Sequence, residues 1–153
     1  MHCLGNRAIG EADHAKRFAM IFPDLSSSIA VGPLVAWMLV LAVKHVVADF
    51  FLQTNWMALG KDQRTGWFIP LLAHCAVHGV IATGLILAVQ PRLWFLGLVD
   101  FVIHFIIDRC KGLCVNTFNV TQQSAWFWWL IGIDQALHHL TNFALALVLV
   151  ANR

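Results

Sequence analysis

Four pairs of histidine and aspartate residues are the part of this sequence best suited to chemistry. The pairs are His45 with Asp49, His74 with His78, His104 with Asp108, and Asp134 with His138. Residues spaced i and i+4 lie on one helical face about one turn apart, so each pair offers two ligand atoms from one helix. Because each pair belongs to a different apolar segment, the pattern predicts a metal site shared by four helices.

The number of candidate ligands indicates more than one ion. The pairs contain five histidines and three aspartates, twice what one tetrahedral ion needs, so we predict a centre of two divalent ions. Mixed imidazole and carboxylate ligands suit zinc, iron or manganese. Two further residues are candidate catalytic groups: Asp100, one turn before His104, as a fourth carboxylate, and Lys111 as an electrostatic clamp. The polar residues expected to orient the ligands through hydrogen bonds are Gln53, Gln135 and Asn142.

The composition places these pairs in a membrane protein. The chain of 153 residues is 59% hydrophobic, and its mean hydropathy of +0.72 exceeds ordinary soluble usage. An aspartate facing lipid at the centre of a span costs about 2.5 to 3.5 kcal/mol, so the aspartates must face inward, towards cations. A net charge of +2 without a basic stripe argues against nucleic acid as a partner, and the four cysteines form no disulfide framework.

Four apolar segments predict membrane-spanning helices at about residues 31–52, 67–89, 93–110 and 125–150, with Ser124 as an N-cap of the last. The predicted fold class is all-α, an integral membrane four-helix up-down bundle within one domain of residues 31–151. Because consecutive spans run in opposite directions, all four pairs fall towards the face that carries the loops after the first and third spans. Residues 1–28 are polar and lack a cleavable signal, so we expect a flexible tail, with Met20 as an alternative start.

Several functions would use polar pairs placed inside a membrane protein in this way. We favour a two-metal hydrolase that acts on a lipid-linked phosphate or ester at the membrane surface, because basic residues flank the site in sequence: Lys61, Arg64, Arg109 and Lys111. The alternatives are a di-iron redox enzyme, a metal or proton transporter, and an accessory subunit of a membrane complex with a structural metal or polar network. Di-iron sites favour glutamate, and the only glutamate is Glu11 in the tail. The expected partners are membrane lipid, a lipid-phosphate substrate, and a second copy or a larger membrane complex.

The motifs also resemble those of a known family. They are H-x-x-x-D-F-x-x-Q from His45, H-x-x-x-H from His74, H-x-x-x-D-x-x-K from His104 and D-Q-x-x-H from Asp134. In this order, over about residues 34–150, they resemble a bacterial family of small polytopic membrane proteins that share a domain of unknown function. The resemblance implies a multi-pass protein of the bacterial inner (cytoplasmic) membrane, and it implies no reaction. A looser similarity to membrane-bound metal-dependent hydrolases is one of architecture only.

Overall fold

The computed structural model describes residues 28–153, and five α-helices make up most of that part of the chain. They are α1 (Val31–Val46), α2 (Asn55–Gly60), α3 (Phe68–Val89), α4 (Phe95–Thr117) and α5 (Ala125–Ala151). No strand occurs among residues 28–153, so the all-α prediction is confirmed. The predicted tail, apart from its last residue, lies outside the described residues, and so do Glu11 and Met20.

Three helical stretches are long and apolar enough to cross a membrane: Val31–Phe51, Phe68–Val89 and Ala125–Ala151. Helix α4 is 23 residues long but is not among them, since it carries two aspartates, an arginine and a lysine. It also continues to Thr117, beyond the predicted end of the third span. The described helices therefore indicate a membrane protein, whereas an up-down bundle of four spanning helices stays a prediction.

Local signals explain where several helices begin. The Ser124 hydroxyl accepts a hydrogen bond from the backbone N–H of Trp126 at 3.3 Å, which confirms the predicted N-cap of α5. Thr54 caps α2 in the same way, accepting from the N–H of Met57 at 3.3 Å. Helix α2 was not predicted, because six residues are too few to show a helical pattern.

Apolar side chains fill one end of the helix assembly. Helix α1 contributes Trp37 and Leu41, and α3 contributes Ile86. Residues from the 3-10 helix Pro91–Leu93, the start of α4 and the end of α5 complete this layer: Leu93, Leu96, Leu145, Ala146, Val148, Leu149 and Val150. Because the layer uses opposite ends of successive long helices, their other halves are left to meet at the opposite end.

Helices α3 and α4 make the most extensive contact of any pair of described helices, and small residues lie in it. A Cβ atom at Gly97 would overlap both the side chain and the backbone of Thr83, and one at Gly79 would lie 2.8 Å from Cβ of Phe101. Backbones that approach this closely are typical of helices packed within membranes. The contact fixes His74 and His78 of α3 against His104 of α4.

Candidate metal centre

The four predicted pairs lie at the end of the assembly opposite the apolar layer. Of the eight residues, seven are buried, with at most 4% of their surface exposed: His45, His74, His78, His104, Asp108, Asp134 and His138. The side chain of Asp49 is 14% exposed. Buried carboxylates need cations, and buried imidazoles need hydrogen-bond partners or metal ions.

One group of ligand atoms combines Asp49 with His74, His78 and His104, and its four atoms all lie within 4.8 Å of one another. Asp49 Oδ1 is 3.0 Å from Nε2 of His78 and 3.5 Å from Nε2 of His74, and Nε2 of His74 and His104 are 3.2 Å apart. Ligands bound about 2.0–2.1 Å from a tetrahedral ion lie roughly 3.3–3.4 Å from each other. These three separations are close to the edge length of a tetrahedral coordination shell.

Asp49 reaches this group from a distorted turn of helix. The five residues Val47–Phe51 form a π-helical turn at the end of α1, in which the N–H of Leu52 donates to the carbonyl of Val47 at 3.1 Å. Such turns insert one residue into a helix and occur frequently at functional sites. The turn was not predicted, because the spacing of His45 and Asp49 fits an ordinary helix equally well.

A second group consists of His104, Asp108 and His138. Asp108 Oδ1 is 3.5 Å from Nε2 of His138, and Oδ2 is 3.9 Å from Nε2 of His104 and 3.4 Å from Nε2 of His74. The two oxygens of Asp108 thus face different histidines. A carboxylate placed in this way can bridge two ions.

His104 belongs to both groups, which limits how they are filled. Its ring stacks on that of His138 with centroids 3.9 Å apart and lies 3.8 Å from the ring of His78. One imidazole nitrogen binds one ion, so Nε2 of His104 serves one group at a time. If Nε2 of His104 binds an ion together with Asp49, the second group keeps only Asp108 and His138. An ion in the second group then has open coordination positions.

His45 and Asp134 lie beside the groups and are members of neither. Nε2 of His45 is 3.2 Å from Oδ2 of Asp49 and 3.3 Å from Oε1 of Gln135. Asp134 Oδ1 is 3.7 Å from Nε2 of His138, and its Oδ2 accepts from Nε2 of Gln135 at 3.2 Å. Gln135 therefore links α1 to α5 at the edge of the centre.

The other two predicted orienting residues have different surroundings. Asn142 donates to the backbone carbonyl of Leu41 at 3.5 Å, one turn further from the metal groups than His138. Gln53 has a buried Oε1 atom without a hydrogen-bond partner among the described residues. Neither side chain holds a ligand in place through a described contact.

Lysine side chains pair with more of the aspartates than the sequence indicated. Nζ of Lys61 donates to Oδ2 of Asp108 at 2.7 Å, and Nζ of Lys111 lies 3.5 Å from Oδ1 of Asp108 and 3.7 Å from Oδ1 of Asp134. Lys111 therefore turns inward, next to the metal groups. Lys61 follows α2 in a connecting segment, where no helical spacing relates it to the pairs, so the sequence indicated only a basic surface residue.

Asp100 has its own partner. Its Oδ2 accepts from Nζ of Lys44 at 2.5 Å, and both residues are at most 3% exposed. Asp100 is in neither group of ligand atoms, so the structure places this candidate catalytic residue in a separate ion pair between α1 and α4.

The segment between α2 and α3 closes the outer side of the centre. Oδ2 of Asp62 lies 4.0 Å from Nζ of Lys111, and the Asp62 carbonyl accepts from Nδ2 of Asn116 at 2.6 Å. Burial raises the pKa of Asp62, although the neighbouring lysines act in the opposite direction. Arg64 donates to the backbone carbonyl of Asn116 at 2.8 Å, which ties the same segment to the end of α4.

The arrangement can hold one or two divalent cations among imidazole and carboxylate ligands. Cys75 is buried but belongs to neither group, so the donor set contains no thiolate. This set suits zinc, iron or manganese. An open set beside a filled one is typical of catalytic sites, where a water molecule completes the coordination.

Comparison with known proteins identifies a family and no function. No curated protein matches the chain, and no solved structure matches it. One family model matches residues 37–152, which include all four pairs and every helix except the first turns of α1. Since the match covers most of the sequence, the chain belongs to the protein family of unknown function DUF3307.

Proposed function

We propose that this chain is a membrane-embedded metal-binding protein whose four long helices surround a centre of two divalent ions. The observation that carries the proposal is the position of Asp108, with one carboxylate oxygen beside His74 and His104 and the other beside His138. In this assignment Asp49, His74, His78 and His104 hold one ion. Asp108 and His138 would hold the second ion, with Asp134 beside His138 and His45 beside Asp49 as further donors.

The reaction that this centre would serve best is hydrolysis of a lipid-linked phosphate ester. Two divalent ions bound by these residues would supply an activated water molecule and would neutralise charge on the phosphoryl oxygens, so no serine or cysteine nucleophile would be needed. The oxygen of water forms a bond to phosphorus, the bond from phosphorus to the lipid oxygen breaks, and the leaving oxygen takes up a proton. The lysines beside Asp108 add positive charge on the side where the phosphate would lie.

The apolar layer argues against transport through a single chain. Leu41, Ile86 and Leu149 are completely buried in it, packed among other apolar side chains. A transported ion would need polar groups along its whole path. The polar groups instead converge at one end, as a site that exchanges with one face of the membrane requires.

The proposal is tested with protein purified without metal-affinity resins, reconstituted in nanodiscs and loaded with zinc, manganese or iron in turn. Elemental analysis is expected to give about two ions per chain, and a panel of lipid phosphates is then assayed for phosphate release. His138→Ala is expected to lower metal content by about one ion and to abolish release. The matched control is His139→Ala, since His139 is exposed and belongs to neither group of ligand atoms.

Two outcomes would contradict different parts of the proposal. Metal-loaded protein that releases no more phosphate than the His138→Ala variant, across the whole panel, would refute the hydrolase and leave the metal centre standing. Protein that binds no divalent ion, or that loses equal amounts of metal in the two histidine variants, would refute the metal centre itself.

A further inference from the structure

Two lysines from separate elements converge on the carboxylate of Asp108. Lys61 lies in the segment after α2 and Lys111 lies on α4, and their Nζ atoms are 2.7 Å and 3.5 Å from the two oxygens of Asp108. Lys61 is 8% exposed, and the side chain of Lys111 is 13% exposed. Lys111 also lies 3.7 Å from Asp134 and 4.0 Å from Asp62, so two ammonium groups are held among three carboxylates at this point.

The formal charges around the centre show what these two lysines would serve once metal ions are bound. Asp49, Asp62, Asp108 and Asp134 carry four negative charges, and the ammonium groups of Lys61 and Lys111 supply two positive ones, because Lys44 is paired with Asp100. The described groups therefore carry a formal net charge of about −2 when the metal-binding histidines are neutral, as ligation requires. One divalent ion brings this charge to about zero, and two bring it to about +2. A centre with two ions thus has room for a dianion.

The geometry also leaves hydrogen-bonding capacity for such a dianion. A carboxylate oxygen has two lone pairs, so Oδ2 of Asp108 can bind an ion and still accept from Lys61. Each ammonium group has three donors, and Asp108 uses one donor of Lys61. Two donors of Lys61 remain beside that bond, and the ammonium group of Lys111 faces Asp108, Asp134 and Asp62 at 3.5, 3.7 and 4.0 Å. Lysine binds phosphate in this way, as a flexible point charge.

The exposed fraction of the side chains increases stepwise from Asp108 through Lys111 to Asp62. The side chain of Asp108 is 2% exposed, that of Lys111 is 13% exposed and that of Asp62 is 36% exposed. Lys111 lies between the two carboxylates in space, 3.5 Å from Asp108 and 4.0 Å from Asp62. A polar route to the ions therefore passes Lys111 and the segment that carries Lys61.

We infer that Lys61 and Lys111 form a binding site for the dianionic phosphoryl group of a phosphate monoester, next to the two ions. This inference rests on the proposed two-ion centre and narrows its substrate class. A phosphate diester carries a single negative charge and a carboxylic ester carries none, so either would leave the centre positively charged. The same chemistry fits a lipid phosphate monoester and free inorganic phosphate.

The test measures binding of inorganic phosphate to metal-loaded protein by calorimetry, and binding to nanodiscs that contain phosphatidic acid or only phosphatidylcholine. We expect saturable binding of inorganic phosphate that competes with phosphatidic acid and is insensitive to phosphatidylcholine. Lys61→Met is expected to weaken phosphate binding about 10- to 100-fold while about two ions remain bound. The control is Arg92→Gln, which removes one exposed cation at the opposite end of the assembly.

The possible results distinguish failure of this inference from failure of the metal centre on which it rests. Two bound ions with phosphate affinity unchanged by Lys61→Met would overturn the inference and leave the centre intact. Fewer than two bound ions in the unaltered protein would refute the centre instead. If Lys61→Met itself loses metal, Lys111→Gln is measured in its place, and unchanged phosphate affinity there overturns the inference equally. Binding of inorganic phosphate without competition by phosphatidic acid would identify free phosphate as the source of the group.

Discussion

The buried ion pair between Lys44 and Asp100 allows a quantitative test of the structure. It joins α1 to α4 at 2.5 Å, with both residues at most 3% exposed. Replacing Asp100 by Leu leaves the ammonium group of Lys44 buried without its partner. Replacing both residues, as Lys44→Met with Asp100→Leu, removes the two charges together and keeps the volume similar.

The expected magnitudes follow from the distance and the burial. Unit charges 2.5 Å apart attract each other by about 7 kcal/mol at an effective dielectric constant of about 20, most of which offsets their desolvation. Removing one partner of such a pair costs about 3–5 kcal/mol, because a buried charge is left uncompensated. The double replacement is expected to be neutral, or stabilising by about 1–4 kcal/mol. The two single replacements should therefore each be worse than the double one.

The assay is unfolding by SDS in mixed micelles, followed by tryptophan fluorescence, with the four proteins of the double-mutant cycle compared. Metal content is measured on the same samples and should equal that of the unaltered protein in the double variant, since Asp100 lies in neither ligand group. A cost below about 1 kcal/mol for Asp100→Leu would refute the buried pair. Loss of an ion from the double variant would show that Asp100 is a ligand, as the sequence suggested.

Three further outcomes are expected. Asp108→Asn should lower metal content to one ion or none per chain, because the amide offers one neutral oxygen where the carboxylate faces both groups; elemental analysis checks this. Chelation with EDTA should lower the unfolding temperature, and zinc should restore it, since the bound ion stabilises only the folded state; unchanged melting would contradict this. Gly97→Val should destabilise by about 1–3 kcal/mol through overlap with Thr83, whereas Gly84→Ala, with open space at its Cβ, should not.

Helix positions and the composition of the candidate centre were predictable because they depend on local geometry. The i to i+4 spacing of His104 and Asp108 places both on one helical face in any packing. Ser124 caps α5 through its own backbone neighbours, so its role needs no tertiary contact. The opposite direction of successive helices was enough to bring His74 and His138 to the same end of the molecule.

The pairing of charges was not predictable from the same patterns. Lys44 and Asp100 are 56 residues apart, and their contact depends on the rotation of α1 and α4 about their axes. Lys61 is 47 residues from Asp108 and follows a helix too short to be recognised. Sequence reasoning therefore missed the lysine partners of Asp100 and Asp108.

The sequence alone determined which eight residues form the four pairs and how each pair is spaced on its helix. A helix turns by the same angle per residue wherever it lies, so this spacing needs no tertiary contact. Packing decided how those side chains divide into two groups around His104, and it left His45 and Asp134 at the edge. The distances between ligand atoms on different helices depend on how closely the backbones approach, which small residues such as Gly79 and Gly97 control. That approach is a property of the folded chain as a whole, and it cannot be derived from any one segment.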